Sequence, residues 1–484
     1  FDIKTAVFTA LDEACNEGTI LASNTSSLSV NALAEATGRP DRFVGLHFFY
    51  HPAKNRLIEV IPAETTSKDT LERTVQYCRT LGKVVIVCKD RPGFVVNRFF
   101  VPWLNEACLL LEEGIATAAQ IDAISCKAFR IGLGPFGLMN LTGPPIALHS
   151  TDYLAEQLNT SRYNGAQNLR DLVAENAMWP IEDESEYTQD QYTTVSERLL
   201  GVVFGVAAQI VEEDICSMED VDRGAKVGLR WARGPFEMMN RIGVAEAYRM
   251  AQSYQAIAGE AWTLPAFFKN QSDASTNWDF SYVDSSVEDG IATITINRPE
   301  AMNALNEVVI AQLTEAVQAA NADSNVTTIV LDGAGKAFVA GADVKFFVDK
   351  IRSDDIPDIE TFTENGHILL AALEDSTKTT IALTTGLALG GGLELALACD
   401  YRIGTRRTQF RFPETSIGIY PALGGTQRPA RIAGRELGRW AVLAGNFMNA
   451  ETASDLGLVT HLVDINDVPN CIKDIHASGK PDNK

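Results

Sequence analysis

Positive charge is scarce in this sequence. Lysine and arginine together number 41 against 63 aspartates and glutamates, which gives a formal net charge of -22. Because nucleic acids are bound by basic surfaces, this balance argues against nucleic acid as a partner. The excess negative charge is typical of a solvated acidic surface or of adaptation to a salt-rich habitat. Any polyanionic ligand must therefore be held by local lysines, arginines and backbone N–H groups.

Paired cysteines and long apolar runs are also missing. The eight cysteines are scattered and show neither C-x-x-C nor Cys/His spacing, which predicts no metal site and favours a reducing cytoplasm. The longest apolar candidate, residues 202–211, has the length of a buried helix, so we expect no membrane insertion. The chain begins without methionine and closes in a polar tail, GKPDNK. We therefore expect truncation at both ends.

A chain of 484 residues exceeds what one hydrophobic core usually supports, so several domains are expected. Residues 1–92 alternate helical periodicity with short β-rich runs such as RFVGLHFF and RLIEVI, which predicts βα units around a largely buried sheet. Residues 93–269 are helical in pattern. The small polar run 270–277 is typical of a linker, and a second α/β domain is predicted over 278–484.

The helical stretch contains an internal duplication with an offset of 100 residues. The clearest ungapped matches are NRFF at 97–100 with ERLL at 197–200, GPF at 134–136 with GPF at 234–236, and MN at 139–140 with MN at 239–240. Such self-similarity predicts two copies of one helical unit, over 93–190 and 191–269, packed together.

The densest chemical signal lies between residues 387 and 428. Three glycines, Gly390 to Gly392, precede a helical run that carries Glu394, and Glu414 follows on the next loop. Glycine allows close backbone approach, and a helix N-terminus offers unpaired N–H groups that can hold an oxyanion. The run AFVAGADVK offers a second such N–H, at Ala342. Taken singly, a first-turn glutamate often only complements the helix dipole, and clustered glycines often only pack.

Residues 278–470 resemble the enoyl-CoA hydratase (crotonase) family. The resemblance rests on INRPEAMNALN, FVAGADVKFF, GGGLELALACD and FRFPETSIGIYPALGGTQR. It implies a spiral, ClpP-like α/β domain, an oxyanion hole at Ala342 and Gly391, and CoA binding by Lys345. It also implies that Glu394 helps to activate water and that Glu414 protonates the α-carbon. The family's C-terminal helices, which help it to oligomerise, are missing here, so we expect a homo-oligomer only for the full-length protein.

The N-terminal domain carries a second candidate site. His47 and Glu59 lie in neighbouring strand-like runs, where a carboxylate fixes the tautomer of an imidazole and raises its basicity. A lone histidine in an apolar strand is more often a structural residue. The run ASNTSSL adds hydroxyl groups after a strand, where α/β sheets place their ligands.

Residues 1–250 resemble the 3-hydroxyacyl-CoA dehydrogenase family, through SNTSSL, DRFVGLHFF, RLIEV and CKDRPGFVVNR. The resemblance implies His47 and Glu59 as the catalytic pair and NAD as the cofactor. Ser26 and Asn97 fall on substrate-contacting positions, and Ser26 and Tyr50 are predicted to lie at the cofactor. Tyr50 and His51 replace the family's Asn-Pro.

A glycine-rich dinucleotide-binding turn is not found near the start of the chain. The one G-x-G-x-x-G match, at 132–137, lies in the helical repeat and contains proline. We therefore expect a partial Rossmann domain at 1–92 and weak NAD binding by this chain, although the full-length protein should bind NAD.

The two resemblances together predict a bifunctional enzyme that hydrates a trans-2-enoyl-CoA and oxidises the (S)-3-hydroxyacyl-CoA product. The domain order resembles fused hydratase–dehydrogenase proteins typical of archaea. Three alternatives stay open: a crotonase-superfamily isomerase, an enzyme acting on cyclic acyl-CoA thioesters, and an inactive acyl-CoA-binding scaffold.

Overall fold

A computed structural model describes residues 2–26, 28–160, 163–182, 185–259 and 262–481. Ser27 of the hydroxyl-rich run and the last three residues of the polar tail, 482–484, lie outside the described residues. The chain separates into two compact units, residues 1–280 and 281–484, which we call unit 1 and unit 2.

Unit 1 begins with a four-stranded sheet in the order β1-β2-β3-β4. Strands β1 and β2 are parallel, β2 and β3 antiparallel, and β3 and β4 parallel. The strands and their flanking helices are α1 (Asp2–Ala14), β1 (Leu21–Ser23), α2 (Val30–Glu35), β2 (Phe43–Phe48), β3 (Leu57–Pro62), α3 (Lys68–Thr80) and β4 (Val84–Val87).

The sheet is buried on both faces. Val44, Ile58 and Val60 pack with Cys78 of α3 on one side, while Phe43 and its neighbours join the main core of unit 1 on the other. Such burial is what near-continuous apolar strands flanked by helices predict. The β2–β3 pair departs from the predicted βα pattern, because these neighbouring strands are antiparallel and the described residues between them form no helix.

The rest of unit 1 is helical. Its helices are α4 (Val96–Glu112), α5 (Ala118–Phe129), α6 (Pro135–Thr142), α7 (Pro144–Leu158), α8 (Gln167–Ala174), α9 (Gln189–Glu212), α10 (Met218–Arg223), α11 (Pro235–Ile242), α12 (Val244–Ala258) and α13 (Ala266–Ala274).

The predicted duplication is visible in this helical part. Helices α6 and α11, and likewise α7 and α12, have bounds that differ by 100 residues. Asp122 accepts hydrogen bonds from the backbone N–H groups that begin α6, at 2.8 Å, and Asp222 does the same for α11, at 2.8 and 2.9 Å. Both copies therefore cap these helices in the same way, with an aspartate carboxylate that accepts from backbone N–H groups of the first turn.

Two ion pairs join the copies reciprocally. Arg98 of copy one binds Glu213 of copy two, at 2.7 and 2.9 Å. Arg198 of copy two binds Glu113 of copy one. Because the two arginines and the two glutamates are each 100 residues apart, the interface is nearly self-complementary, as between subunits related by a two-fold axis.

One expectation, the linker, needs correction. Most of the predicted linker at 270–277 is helical, since α13 runs to Ala274, and Trp278 belongs to the core of unit 1, where Asn240 binds its backbone. Helix α9 extends well beyond the apolar run 202–211 and is long and apolar enough to cross a membrane. Because 78% of its apolar window is buried, it has the character of a core helix.

Unit 2 contains two sheets. One has the order β14-β11-β9-β7-β6-β5 and is parallel except for the β5–β6 hairpin. The other has the order β13-β12-β10-β8, in which β10 runs parallel to both β8 and β12. The strands are β5 (Val283–Glu288), β6 (Ile291–Ile296), β7 (Thr328–Gly333), β8 (Ala337–Val339), β9 (Thr379–Thr384), β10 (Leu387–Leu389), β11 (Tyr401–Gly404), β12 (Gln409–Arg411), β13 (Met448–Asn449) and β14 (His461–Leu462).

The helices of unit 2 include α17, which starts directly after β10 and so lies at the carboxyl end of a parallel pair, where such sheets place their ligands. In chain order they are α14 (Glu307–Ala322), α15 (Val344–Arg352), α16 (Ile356–Glu374), α17 (Gly391–Leu397), α18 (Arg428–Ala433), α19 (Arg435–Ala444), α20 (Ala450–Asp455) and α21 (Val468–Ser478).

Candidate active sites

Gly390 makes the turn from β10 into α17. Its φ of 48° and ψ of -123° lie in a region that side chains rarely adopt. A Cβ atom at this position would also collide with the carboxylate of Glu414. Only glycine therefore lets the chain turn here while Glu414 approaches its backbone.

Glu394, in the first turn of α17, is only 2% exposed. Its Oε1 atom accepts a hydrogen bond of 2.7 Å from the backbone N–H of Gly425. Burial raises the pKa of this carboxyl to about 7, and the negative charge of Glu414 contributes to the increase. A carboxyl group with this pKa can both donate and accept a proton near neutral pH.

Glu414 begins a short 3-10 turn, Glu414–Ile417, and is 8% exposed. Burial raises its pKa above the ordinary value. Its Oε2 atom is buried and has no hydrogen-bond partner among the described residues. Because an unpaired buried carboxylate oxygen is costly, this atom is the best candidate in unit 2 for contact with a bound molecule.

Two backbone N–H groups lie beside these carboxylates. A Cβ atom built on Gly391 would be 3.9 Å from the amide nitrogen of Ala342. Neither N–H donates to an acceptor in the part of the chain that the structure describes, although Gly341 and Asp343 on either side of Ala342 are both bonded to Leu305. The pair can therefore donate to a single oxygen of a ligand.

Lys345 lies three residues beyond Ala342, in the first turn of α15. Its side chain is exposed, and its backbone N–H donates to Asp343 at 3.1 Å. The structure thus leaves the side chain of Lys345 exposed to solvent, three residues along the chain from one of the two donors.

The second site lies in unit 1, where His47 and Glu59 face each other across β2 and β3. The Nδ1 atom of His47 lies 2.5 Å from Oε2 of Glu59, and both residues are buried, at 5% and 0% exposure. Phe49 and Phe94 pack against the imidazole ring, with centroids 4.6 and 5.7 Å away. The carboxylate therefore fixes the imidazole with Nδ1 protonated and leaves Nε2 as a base.

Glu59 also holds the start of helix α4. Its Oε1 atom accepts hydrogen bonds from the backbone N–H groups of Val95 and Val96, at 3.2 and 2.9 Å. The chain enters this helix through Gly93 and Phe94, which both have positive φ angles, 78° and 47°. The Glu59 carboxylate thus binds both His47 and the N-terminal end of α4. Asn97 lies at that end of the helix.

The remaining predicted residues of unit 1 are close in the fold but not bonded to the pair. Ser26 lies exposed on the loop after β1, whose Asn24 accepts a bond of 3.3 Å from the backbone N–H of Phe48. Asn97 is half-buried at the start of α4. Tyr50 is 64% exposed and contacts the ring of His51. Among the described residues, no hydrogen bond joins Ser26, Asn97 or Tyr50 to His47.

Sequence reasoning missed the residues that hold the carboxylates. Gly425 lies within the GGTQR motif, yet nothing in that pattern distinguishes an N–H aimed at Glu394 from a turn glycine. The loop that carries Gly425 is fixed by Arg428, which donates to the carbonyl of Leu423 at 2.5 Å and binds Glu374 through two bonds of 2.7 and 2.8 Å. For the N–H groups of Val95 and Val96, the available sequence signal was the glycine of the GFVV run before Asn97, because a glycine before a helix often marks a tight turn.

Comparison with known protein families matches nearly the whole chain. Residues 1–91 match the NAD binding domain of 3-hydroxyacyl-CoA dehydrogenase, and residues 93–185 and 195–274 match the C-terminal domain of the same family. Residues 291–484 match enoyl-CoA hydratase/isomerase. The C-terminal dehydrogenase domain matches twice, in agreement with the duplication.

Individual relatives resemble separate parts of the chain. A 3-hydroxybutyryl-CoA dehydrogenase from Clostridioides difficile is 36% identical over 181 residues, which are 37% of this chain and 63% of that protein. A crotonyl-CoA hydratase from Syntrophomonas wolfei is 38% identical over 177 residues, 36% of this chain and 66% of that protein. The chain thus spans less than two thirds of the length of each of these relatives.

Among solved structures, the 3-hydroxybutyryl-CoA dehydrogenase of Escherichia coli K12 superposes with a TM-score of 0.52 and 19% identity. The match covers 57% of this chain and 79% of the E. coli chain. At that identity the likeness supports the fold alone. The family matches themselves show that the chain joins the NAD-binding and C-terminal domains of the 3-hydroxyacyl-CoA dehydrogenase family to a domain of the enoyl-CoA hydratase/isomerase family.

Proposed function

We propose that unit 2 adds water to a trans-2-enoyl-CoA thioester and that unit 1 oxidises the (S)-3-hydroxyacyl-CoA that results. The observation that carries the first step is the pair of buried carboxyls, Glu394 and Glu414, beside the free N–H groups of Ala342 and Gly391. Conjugate addition of water needs a base, an acid and donors for the enolate oxygen, and these four groups supply all three.

In the proposed hydration the thioester oxygen accepts hydrogen bonds from Ala342 and Gly391. Glu394 takes a proton from water as the water oxygen bonds to the β-carbon of the substrate. Glu414 gives its proton to the α-carbon, the electron pair of the enolate forms that C–H bond, and the thioester carbonyl re-forms. A proton passing from Glu394 to Glu414 through solvent restores the starting state. Glu394 is ionised above its pKa of about 7, as its role as base requires, and burial raises the pKa of Glu414, which is the direction that its role as acid requires.

Lys345 is proposed to bind the CoA part of the substrate. Its exposed ammonium group lies three residues from the donor at Ala342, so a thioester held there would extend its phosphate-bearing end past the start of α15. In a chain with a net charge of -22, such local cations are needed to hold a polyanion.

In the proposed oxidation, His47 accepts the proton of the 3-hydroxyl group at Nε2. Glu59 stabilises the imidazolium that forms, since it is 2.5 Å from Nδ1 and buried with it. Asn97 and Ser26 are proposed to contact the substrate, because the start of α4 and the loop after β1 both lie next to the strands that carry the pair.

NAD would supply the oxidising power of this step by accepting the hydride from the 3-carbon. Ser26 and Tyr50 are exposed on loops that follow β1 and β2 and fit contacts with the nicotinamide end. Among the residues that the structure describes, no glycine-rich turn follows a strand of unit 1, and we assign none of them to the cofactor's phosphates. Weak NAD binding by this chain stays a prediction.

We further propose that unit 1 comprises a partial Rossmann domain at 1–92 and two helical domains at 93–190 and 191–269, with the hydratase domain at 278–484. For the full-length protein we propose a cytoplasmic homo-oligomer that does not insert into membranes. The eight free cysteines support the reducing compartment. Exposed Leu437, Trp440 and Leu443 on α19 support association through unit 2. Light scattering of the purified protein tests the oligomeric state.

A hydration assay tests the proposed function. Crotonyl-CoA is the substrate to use first because a hydratase and a dehydrogenase acting on four-carbon thioesters are among the relatives. We expect loss of the enoyl absorbance with the wild-type chain and a decrease of about a hundredfold or more in kcat for E414Q. E451Q, which changes an exposed glutamate on α20, should keep full activity. Binding of crotonyl-CoA without turnover would instead identify a scaffold, and formation of a 3-enoyl product an isomerase.

A further inference from the structure

A cavity of about 330 Å³ lies within the helical half of unit 1, away from His47 and Glu59. It is formed by the end of α5, the first half of α9, helix α11 and one residue of α12. Its size falls at the lower end of the range of small-molecule sites. The proposed reactions make no use of it.

Three arginines line this cavity, namely Arg130, Arg233 and Arg241. None of their side chains makes a hydrogen bond or an ion pair with any residue that the structure describes. Arg233 is half-buried, whereas Arg130 and Arg241 are exposed. Burial, and then the charges of Arg241 and Arg130, lower the pKa of Arg233, and Glu237 opposes part of this effect. Like charges gathered at one site repel each other, and a bound anion would relieve that repulsion.

The acidic residues at the cavity are already engaged. Glu197, which lines it, binds Arg249 at 2.9 Å. Glu237 on α11 binds Lys226 at 2.6 Å. The cavity therefore has a net positive charge in a chain with 22 more acidic than basic residues.

The floor of the cavity is apolar. Phe129, Leu200, Met238 and Met250 line it, and each is at most 9% exposed. An apolar floor below several guanidinium groups fits a ligand with an apolar or aromatic body and a phosphate, since planar guanidinium groups bind phosphate oxygens in pairs.

The duplication shows that two of these arginines are particular to copy two. The positions 100 residues earlier are Leu133 and Leu141, both exposed on copy one. Glu197 likewise corresponds to Asn97, the proposed substrate contact at the start of α4. One residue that lines the cavity is thus the counterpart, in copy two, of a proposed substrate contact in copy one.

The backbone that leads into α4 in copy one differs from the corresponding backbone at the cavity in copy two. In copy one, Gly93 and Phe94 turn the chain before α4, and Glu59 of the sheet caps the helix there. In copy two, α9 starts at Gln189 and continues through the corresponding residues as helix. Tyr192 and Ser196 of this extension line the cavity instead of a strand.

We propose that this cavity is a non-catalytic binding site for an organic phosphate with an apolar or aromatic body, a class to which coenzyme A belongs. Arg130, Arg233 and Arg241 bind the phosphate, and the Met- and Phe-lined floor holds the body. The choice of coenzyme A as the probe rests on the proposed function, whereas the site itself does not.

Hydrogen–deuterium exchange of the full chain with coenzyme A tests this assignment. We expect slower exchange in peptides that cover 192–200 and 233–242, with an apparent affinity at least tenfold weaker in R233L/R241L. That variant gives copy two the leucines that copy one already carries, so it should fold. R42L/R73L removes two charges from exposed or half-buried arginines of the sheet domain and should behave as wild type.

The remaining outcomes separate this site from the proposed function. Slower exchange in 390–397 without any change in 233–242 would overturn the site while leaving the proposed hydratase intact. Slower exchange of 233–242 in R233L/R241L equal to that of the wild type would also overturn it. Equal effects from inorganic phosphate would reduce it to a simple anion site, and equal effects from decanoate would overturn the requirement for phosphate.

Discussion

At the scale of single residues, Glu394 links the proposed chemistry to stability. The folded protein keeps this carboxyl protonated up to a pKa of about 7, whereas in the unfolded chain it ionises near its ordinary pKa of 4.5. Between these two values the folded state binds the additional proton. The free energy of unfolding therefore falls as the pH rises through this window and levels off above pH 7.

Replacing Glu394 with glutamine should remove this pH dependence. Glutamine does not ionise, so E394Q should gain stability relative to wild type as the pH rises from 5 to 8, by up to roughly 3 kcal/mol. Urea unfolding of both proteins at the two pH values measures the change. The exposed E451Q variant should track the wild type, and a parallel pH profile for E394Q would show that burial of Glu394 does not govern this titration.

Glu59 carries two roles that substitution can separate. It binds the imidazole of His47 and it accepts the N–H groups of Val95 and Val96, so E59A leaves two buried donors without an acceptor. We expect a loss of about 2 kcal/mol or more in stability, together with faster hydrogen exchange at the start of α4. H47Q keeps the carboxylate on the helix and should leave exchange there unchanged. Equal acceleration in both variants would contradict this division of roles.

At the scale of elements, the two helical copies use matched but unequal contacts. Arg98 binds Glu213, which is partly exposed, and the carbonyl of Pro92. Arg198 binds both Glu113 and the buried Glu106, whose other oxygen accepts from the hydroxyl of Tyr254. The second cluster therefore encloses a carboxylate that depends on its arginine.

Removing these arginines should reveal the inequality. R198M removes Arg198 from Glu106, which is buried at 2% exposure, and breaking such a buried pair typically costs about 3–5 kcal/mol. R98M leaves a carboxylate that can turn to solvent, so we expect roughly 1 kcal/mol or less. Thermal unfolding of the two variants, matched in chemistry and in place, gives the comparison. Similar losses would mean that burial of Glu106 is not what sets the cost.

Much of this arrangement of elements was predictable from the sequence, for definite reasons. The duplication was found because GPF and MN recur without gaps, and those residues turned out to begin and anchor the repeated helices. The linker at 270–277 was predicted wrongly because small polar residues fit a short exposed helix as well as a loop. The helical pattern predicted from residue 191 onward agrees with α9, which begins at Gln189 behind a capping box of Thr188 and Gln191.

At the scale of the whole molecule, the two proposed catalytic pairs carry more sequence signal than their surroundings. His47 and Glu59, like Glu394 and Glu414, stand in the motifs on which the family resemblances rest. The N–H groups of Gly425, Val95 and Val96 that hold these carboxylates are backbone atoms, and the sequence carries no side-chain signal for them. The cluster joins Arg130, at the end of α5, to Arg233 and Arg241 at the two ends of the α11 segment, so only the fold brings it together.

Because each proposed catalytic pair lies within one unit, the two proposed activities should be separable in the intact chain. E414Q should lose hydration of crotonyl-CoA while keeping the slow oxidation of a 3-hydroxyacyl-CoA that weak NAD binding allows, measured at an NAD+ concentration high enough to offset that weak binding. H47Q should show the reverse, since His47 and Glu59 contact only residues of unit 1 among those described. Enoyl absorbance and NADH formation report the two steps independently. H47Q should unfold at the wild-type temperature. If its rate of crotonyl-CoA hydration nevertheless falls by more than about twofold, the two sites depend on each other.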